Sequence, residues 1–211
     1  VELDVAGATT VVPELAGEKT ADLVVLNDGD LSYGKLRFDD RSIATLKGHL
    51  GVIEDSLTRA LAWSAVWDMT RDGELAASDY VPMVINALAS ETDVAVVATQ
   101  MLQLGTSVEL YSSDKNRDAL RTALADGVEK LLNNAAAGSD MQLQYVRSFA
   151  ATAKSAVQVD KVRAILDGKV AGVTVDANLR WTLLNSLVER GAATVDAVEV
   201  ELSNDKSADG E

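Results

Sequence analysis

The chain contains no cysteine, a single histidine and two prolines, and only 4% of its residues are aromatic. Without cysteine, disulfide scaffolds, thiolate metal sites and cysteine nucleophiles are excluded. One histidine, His49, cannot supply the paired imidazoles of a catalytic zinc site, and it confines any serine-histidine-aspartate arrangement to its own neighbourhood. No apolar run reaches the roughly 18 residues needed to cross a bilayer. The first residues, Val1-Glu2-Leu3-Asp4-Val5, have neither the basic start nor the apolar stretch of a secretory signal. Positive charge is scarce as well: 19 Lys and Arg face 33 Asp and Glu, a net charge of -14. That balance argues against nucleic acid and anionic membranes as partners, because both would be repelled. It favours cationic groups such as peptide amino termini, although an acidic surface is also the ordinary means of staying soluble.

What is present is enough to fold. Of 211 residues, 47% are hydrophobic, which supplies a sizeable core. Residues 1–39 carry a period of two. Val1, Leu3 and Val5 alternate with acids, Thr9 to Val12 is largely β-branched up to Pro13, Leu23 to Leu26 is an apolar run, and Tyr33, Lys35 and Arg37 alternate with Gly34, Leu36 and Phe38. Turn residues separate these runs, Asn27-Asp28-Gly29-Asp30 most clearly. The pattern predicts three or four short strands.

After Asp39 the period becomes about 3.6, and residues 40–211 read as a succession of amphipathic helices. Helices are expected at 41–51, 55–72, 78–90, 92–111, 114–135, 139–153, 156–167, 176–190 and 194–203. Ser139 with Gln142 and Ser155 with Gln158 have capping-box spacing. Ser78, Thr92, Asp176 and Thr194 are simple N-cap candidates, while Gly73, Gly105, Gly168 and Gly191 stand where a left-handed residue ends a helix. Short connections make consecutive helices antiparallel, and such pairs stack into a bundle or a HEAT-like superhelix, here favouring the superhelix. The polar tail after Leu202 is expected to fray.

Candidate chemistry is sparse. His49, beside Lys47 and near the end of the first helix, reads as a helix-terminal surface residue. The carboxylate pairs Glu54-Asp55, Asp72 with Glu74, and Glu199 with Glu201 read as solvated faces, since none has the aromatic setting that holds a sugar. No phosphate-cradling glycine pattern occurs. Trp63 and Trp67 lie four apart on one helix face, a spacing suited to packing, and Asp68 and Arg71 are spaced for a local ion pair. No residue is therefore assigned a catalytic, metal-binding or cofactor-binding role, and the substrate-binding residues stay open.

Three segments in order carry a resemblance. Leu26-Asn27-Asp28-Gly29-Asp30-Leu31-Ser32-Tyr33-Gly34-Lys35-Leu36-Arg37-Phe38-Asp39, then Trp67-Asp68-Met69-Thr70-Arg71-Asp72-Gly73-Glu74-Leu75, then Trp181-Thr182-Leu183-Leu184 with Gly191 and Glu201-Leu202-Ser203-Asn204-Asp205-Lys206-Ser207 resemble the C-terminal region of actinobacterial-type aminopeptidase N. That region is related to the C-terminal domain of endoplasmic reticulum aminopeptidases. The resemblance implies a partial β-sandwich segment at 1–39 and a HEAT-like helical domain at 40–211, in a parent that removes N-terminal residues from peptides. It implies zinc in the parent and no cofactor in this region, because the family's H-E-x-x-H and G-x-M-E-N motifs have no counterpart here. The expected partners are the parent's catalytic domain and peptide substrates, the fragment alone is expected to be inactive, and the expected location is cytoplasmic. A concave acidic surface is expected to draw in cationic peptide ends. Family chains are expected to run on beyond Ser207 and to hold more strands than residues 1–39 supply. Both ends therefore read as cut, and the open edges predict a homodimer or other self-association. The alternative is a free-standing acidic HEAT-like scaffold or peptide-binding module.

Overall fold

The computed structural model describes residues 2–207. Among them the regular structure is helical: α1 (Asp40–His49), α2 (Ser56–Arg71), α3 (Ala77–Leu88), α4 (Val94–Thr106), α5 (Asp114–Asn134), α6 (Asp140–Thr152), α7 (Ala156–Leu166), α8 (Ala177–Glu189) and α9 (Val195–Asn204). Each expected helix is present, with boundaries set by local capping chemistry. Asp39 and Asp55 accept the amides of Ser42 and Thr58, and these hydrogen bonds hold both carboxyls below their ordinary range. Asp176 and Thr194 cap α8 and α9 as expected.

At α7 the Ser155 box is complete. The Gln158 amide donates to Ser155 Oγ while Gln158 Oε1 accepts from the Ser155 amide at 3.0 Å. Substituting Ser155→Ala removes one half of that exchange and is expected to cost about 1 kcal/mol, read as a lower urea midpoint with unchanged slope.

Other boundary expectations are corrected. Asp93, not Thr92, caps α4, because its carboxylate reaches the amides of Ala95 and Val96. Ser78 lies inside α3, whose N-cap is Ala76. Gln142 does not complete a box with Ser139; its Oε1 accepts from Gly138 and its Nε2 donates to Ala171. That bridge sits where two loops nearly touch: a Cβ on Gly172, which has φ +79°, would lie 2.2 Å from the Gly138 nitrogen, so only glycine fits. Gly73, Gly168 and Gly191 do end helices at positive φ. Gly105 does not, since α4 runs through it into a π-helical turn at Ser107–Tyr111.

The strands expected in 1–39 do not form among the described residues. Residues 2–39 run as irregular chain with two 3-10 turns, Pro13–Leu15 and Asp28–Asp30. A strand needs a ladder partner, and no two of these runs pair. The segment instead lays Leu23, Val25, Leu36 and Phe38 on the helical core. Side chains pin it there: the Val24 amide donates to Ser42 Oγ, Thr45 Oγ donates to the Asp22 carbonyl, and Lys35 and Arg37 both reach Asp72. Asn27-Asp28-Gly29-Asp30 is a turn as expected, closed by Asn27 Oδ1 accepting from the Ser32 amide at 2.8 Å. Val1 lies outside the described residues.

Helices pack in two rows. One runs α1, α3, α5; the other runs α4, α6, α8; α5 folds back on α6 through a short connection, and α7 packs on α8 after a longer one. Trp63, Val66, Tyr80, Val84, Val128, Phe149, Ile165 and Leu183 belong to one continuous buried cluster extending from Phe38 to Leu187. Polar side chains tie α7 and the residue before its cap to α5, with Lys154 on Asp118 at 2.7 Å, Gln158 on Asp126 at 2.9 Å and Lys161 on Glu129 at 3.1 Å. The last helix, α9, buries only Glu201, which Arg180 grips with two hydrogen bonds of 2.7 and 2.6 Å.

Candidate functional site

The chemistry-bearing residues of the sequence fall into structural roles. His49 is exposed at the end of α1, with Nδ1 3.0 Å from the Thr45 carbonyl. Asp55 is an N-cap. Asp72 and Glu74 receive Lys35 and Arg37 at the α2–α3 turn, and the Lys35 ammonium holds the Asp72 carboxyl below its ordinary range. Asp68 and Arg71 pair at 3.6 Å. Trp63 is buried, and Trp67 packs between Tyr80 and Tyr111, at 5.7 and 5.9 Å between ring centroids. Glu199 and Glu201 separate, one exposed and one buried against Arg180. Among the described residues no three His, Asp or Glu side chains converge as a metal site would require.

A concavity lies elsewhere. A groove of about 950 Å³ opens between the C-terminal half of α4, the π-helical turn, α5, α6 and the end of α8. Its floor is apolar, made by Met101, Leu102, Val108, Leu124, Ala151 and Ala153. Its charged lining is Arg121, Arg147, Lys154 and Arg190 against Glu109 and Glu189. Four cations against two acids is opposite in sign to the chain as a whole, and to the acidic concave surface expected from the net charge.

Each cation has a different standing. Arg121 is clamped by Glu109, whose carboxyl is held below its ordinary range first by that hydrogen bond. Lys154 pairs with Asp118. Arg190 spends its guanidinium on the Ala151 and Ala153 carbonyls at the end of α6, at 2.9 and 2.5 Å, and on Ser186. Arg147 is exposed and has no ion pair or hydrogen bond among the described residues. The sequence pattern gave no sign of this grouping, since its members lie up to 69 positions apart, from Arg121 to Arg190.

No helix among the described residues is long and apolar enough to cross a membrane. The short helices, with a groove opening beside α4, α5, α6 and α8, make an all-helical domain among the described residues. The comparison with known families places it further. Residues 23–211 match the ERAP1-like C-terminal domain family, and the chain belongs to that family. It is similar to the Aminopeptidase N of Streptomyces lividans, with 41% identity over 213 residues covering 100% of this chain and 25% of that protein. The chain thus spans about a quarter of the length of this curated relative.

Proposed function

We propose that this chain is the C-terminal helical region of a zinc-dependent aminopeptidase, where it helps enclose the chamber that receives peptide substrates. The observation that carries the reading is the similarity to Aminopeptidase N along the whole chain. Zinc does not fit here: His49 is isolated, with Nδ1 turned to the Thr45 carbonyl, so the metal and the hydrolytic chemistry belong to the rest of the parent. The two helical rows form a HEAT-like superhelix, a reading supported by the stacking of α1 on α3, α3 on α5, α4 on α6 and α6 on α8. The segment before α1 is the part that meets the rest of the parent. It leaves Leu3, Val5, Val11, Leu31 and Tyr33 exposed, an apolar series suited to completing a β-sandwich with strands from elsewhere. In the absence of the parent these same faces favour self-association, and the setting of the enzyme is cytoplasmic.

The test is made on both proteins. The full-length parent is expected to contain zinc and to hydrolyse aminoacyl anilides in a chelator-sensitive way, while the 211-residue chain does neither. Hydrolysis by this chain alone, or a parent without zinc and without activity, would overturn the assignment.

A further inference from the structure

The charged lining of the groove resolves into pairs that cancel, with one residue left over. Arg121 and Glu109 close a two-point clasp, and Lys154 is held by both the carboxylate and the carbonyl of Asp118. Arg190 lies 3.6 Å from Glu189 while its other donors serve the end of α6. Arg147 remains: it lines the groove, is exposed, and has no ion pair or hydrogen bond among the described residues. The groove therefore suits a ligand with a single negative charge, which a guanidinium can meet with two parallel hydrogen bonds when that charge is a carboxylate.

The uncharged polar groups of the walls are spent as well. The hydroxyls of Thr106, Ser148 and Thr152 donate to the carbonyls of Leu102, Gln144 and Ser148 in their own helices. The Ala151 and Ala153 carbonyls are taken by Arg190, and the Gln144 amide reaches Ser148 Oγ at 3.4 Å. A peptide laid here would set its amides and carbonyls against walls with little to give in return, a cost that a hydrocarbon does not incur. The floor under Arg147 is apolar, and its Leu102 shows 73% of its surface. The volume, about 950 Å³, falls within the range of about 300 to 1,000 Å³ of small-molecule sites. We propose that the groove binds an unbranched fatty acid of medium length, its carboxylate on the Arg147 guanidinium and its alkyl chain along the apolar floor. The binding belongs to this chain by itself, so its failure leaves the aminopeptidase reading standing, and failure of that reading leaves the groove unchanged.

The probe is decanoate, titrated calorimetrically into the 211-residue chain. Binding at one site is expected, and hexanoate should bind about tenfold or more weakly, since each buried methylene contributes up to about fourfold in affinity. Decanol has the same tail without the charge and should bind more weakly than decanoate, even though the net charge of -14 repels anions in general. Arg147→Gln should weaken decanoate by about threefold to fivefold and leave decanol unchanged. Lys130→Gln makes the same charge change at an exposed position outside the groove and should alter neither. Leu102→Asp, also at an exposed position, should weaken both. Circular dichroism confirms that each variant is folded, and the amide resonances that move with decanoate are expected in α4 and α6. Equal losses of decanoate and decanol in Arg147→Gln would sink the proposal. So would resonance shifts confined to residues 2–39, where Leu3, Val5 and Val11 form another exposed apolar surface. Acetyl-Leu-Leu-Leu with a free C-terminus carries the same carboxylate on a peptide, and binding as tight as that of decanoate would also overturn the assignment.

Discussion

Arg59→Met is expected to destabilise the chain by about 3 kcal/mol at neutral pH, more than any surface ion pair here, because it strands a buried acid. The Glu91 side chain is only 1% exposed. Burial by itself would raise its pKa, yet the amides of Asp93 and Thr92 and the guanidinium of Arg59 together hold it below the ordinary value. Arg59 also donates to the Ile53 carbonyl at 2.6 Å, so this one side chain joins the entry to α2 with the α3–α4 connection. A carboxyl depressed in the folded state contributes stability above its unfolded pKa and loses it as the pH falls through the folded value. In the variant the two amides remain but the guanidinium is lost, so Glu91 takes up its proton at higher pH than in the unsubstituted chain. The difference between the two proteins is therefore largest at neutral pH and shrinks as the pH falls through about 4. Urea unfolding at the two conditions checks it. A difference that does not change with pH would assign the loss to the Ile53 carbonyl hydrogen bond and the packing of Arg59 rather than to Glu91.

Tyr145 reports on the same place. Its hydroxyl donates to the Leu88 carbonyl at 3.2 Å, and its pKa is pushed up to about 12 by burial, with the charge of Glu91 adding to it. The entrance to α4 is thus built around a charged group inside the packing, and it orients α4, which forms one wall of the groove.

The helices were legible because their ends are local chemistry. Asp39, Asp55, Ser155 and Asp176 act within three residues of themselves, and a glycine such as Gly73 ends a helix through its own φ. Where two neighbours competed, geometry chose: Asp93 won over Thr92 because its carboxylate reaches two amides at once. The strands failed for the opposite reason. A period of two says only that alternate residues can face a surface: for Leu23, Val25, Leu36 and Phe38 that surface is the helical core and not a ladder partner, while Val5 and Val11 stay exposed. The groove was illegible for a third reason. Net charge averages over the whole chain, whereas the local excess of cations comes from α5, α6, α8 and the α6 exit, brought together only by the stacking of the rows. His49 and the carboxylate pairs, which the sequence could name, turn out to stand apart from it.

Arg190→Met is expected to cost about 2 to 3 kcal/mol and to loosen the end of α8 from α6. The last carbonyls of any helix lack partners within it, and at α6 those of Ala151 and Ala153 are met by this one guanidinium. A hydrogen bond to a charged donor contributes more than a neutral one, and leaving an acceptor orphaned costs its desolvation in full. Ser186 strengthens the same contact, donating to the Ala150 carbonyl at 2.5 Å while accepting from Arg190 at 3.0 Å. Methionine keeps much of the packing and removes every donor, so the loss isolates the hydrogen bonds. Arg190→Lys should recover little of it, since a single ammonium cannot address carbonyls on two helices in fixed directions. Urea midpoints give the magnitude, and faster amide exchange confined to the ends of α6 and α8 gives the location. Full recovery by lysine would mean that charge alone closes the C-terminal end of α6. The groove would then owe its shape to electrostatic attraction rather than to the directed fork of Arg190.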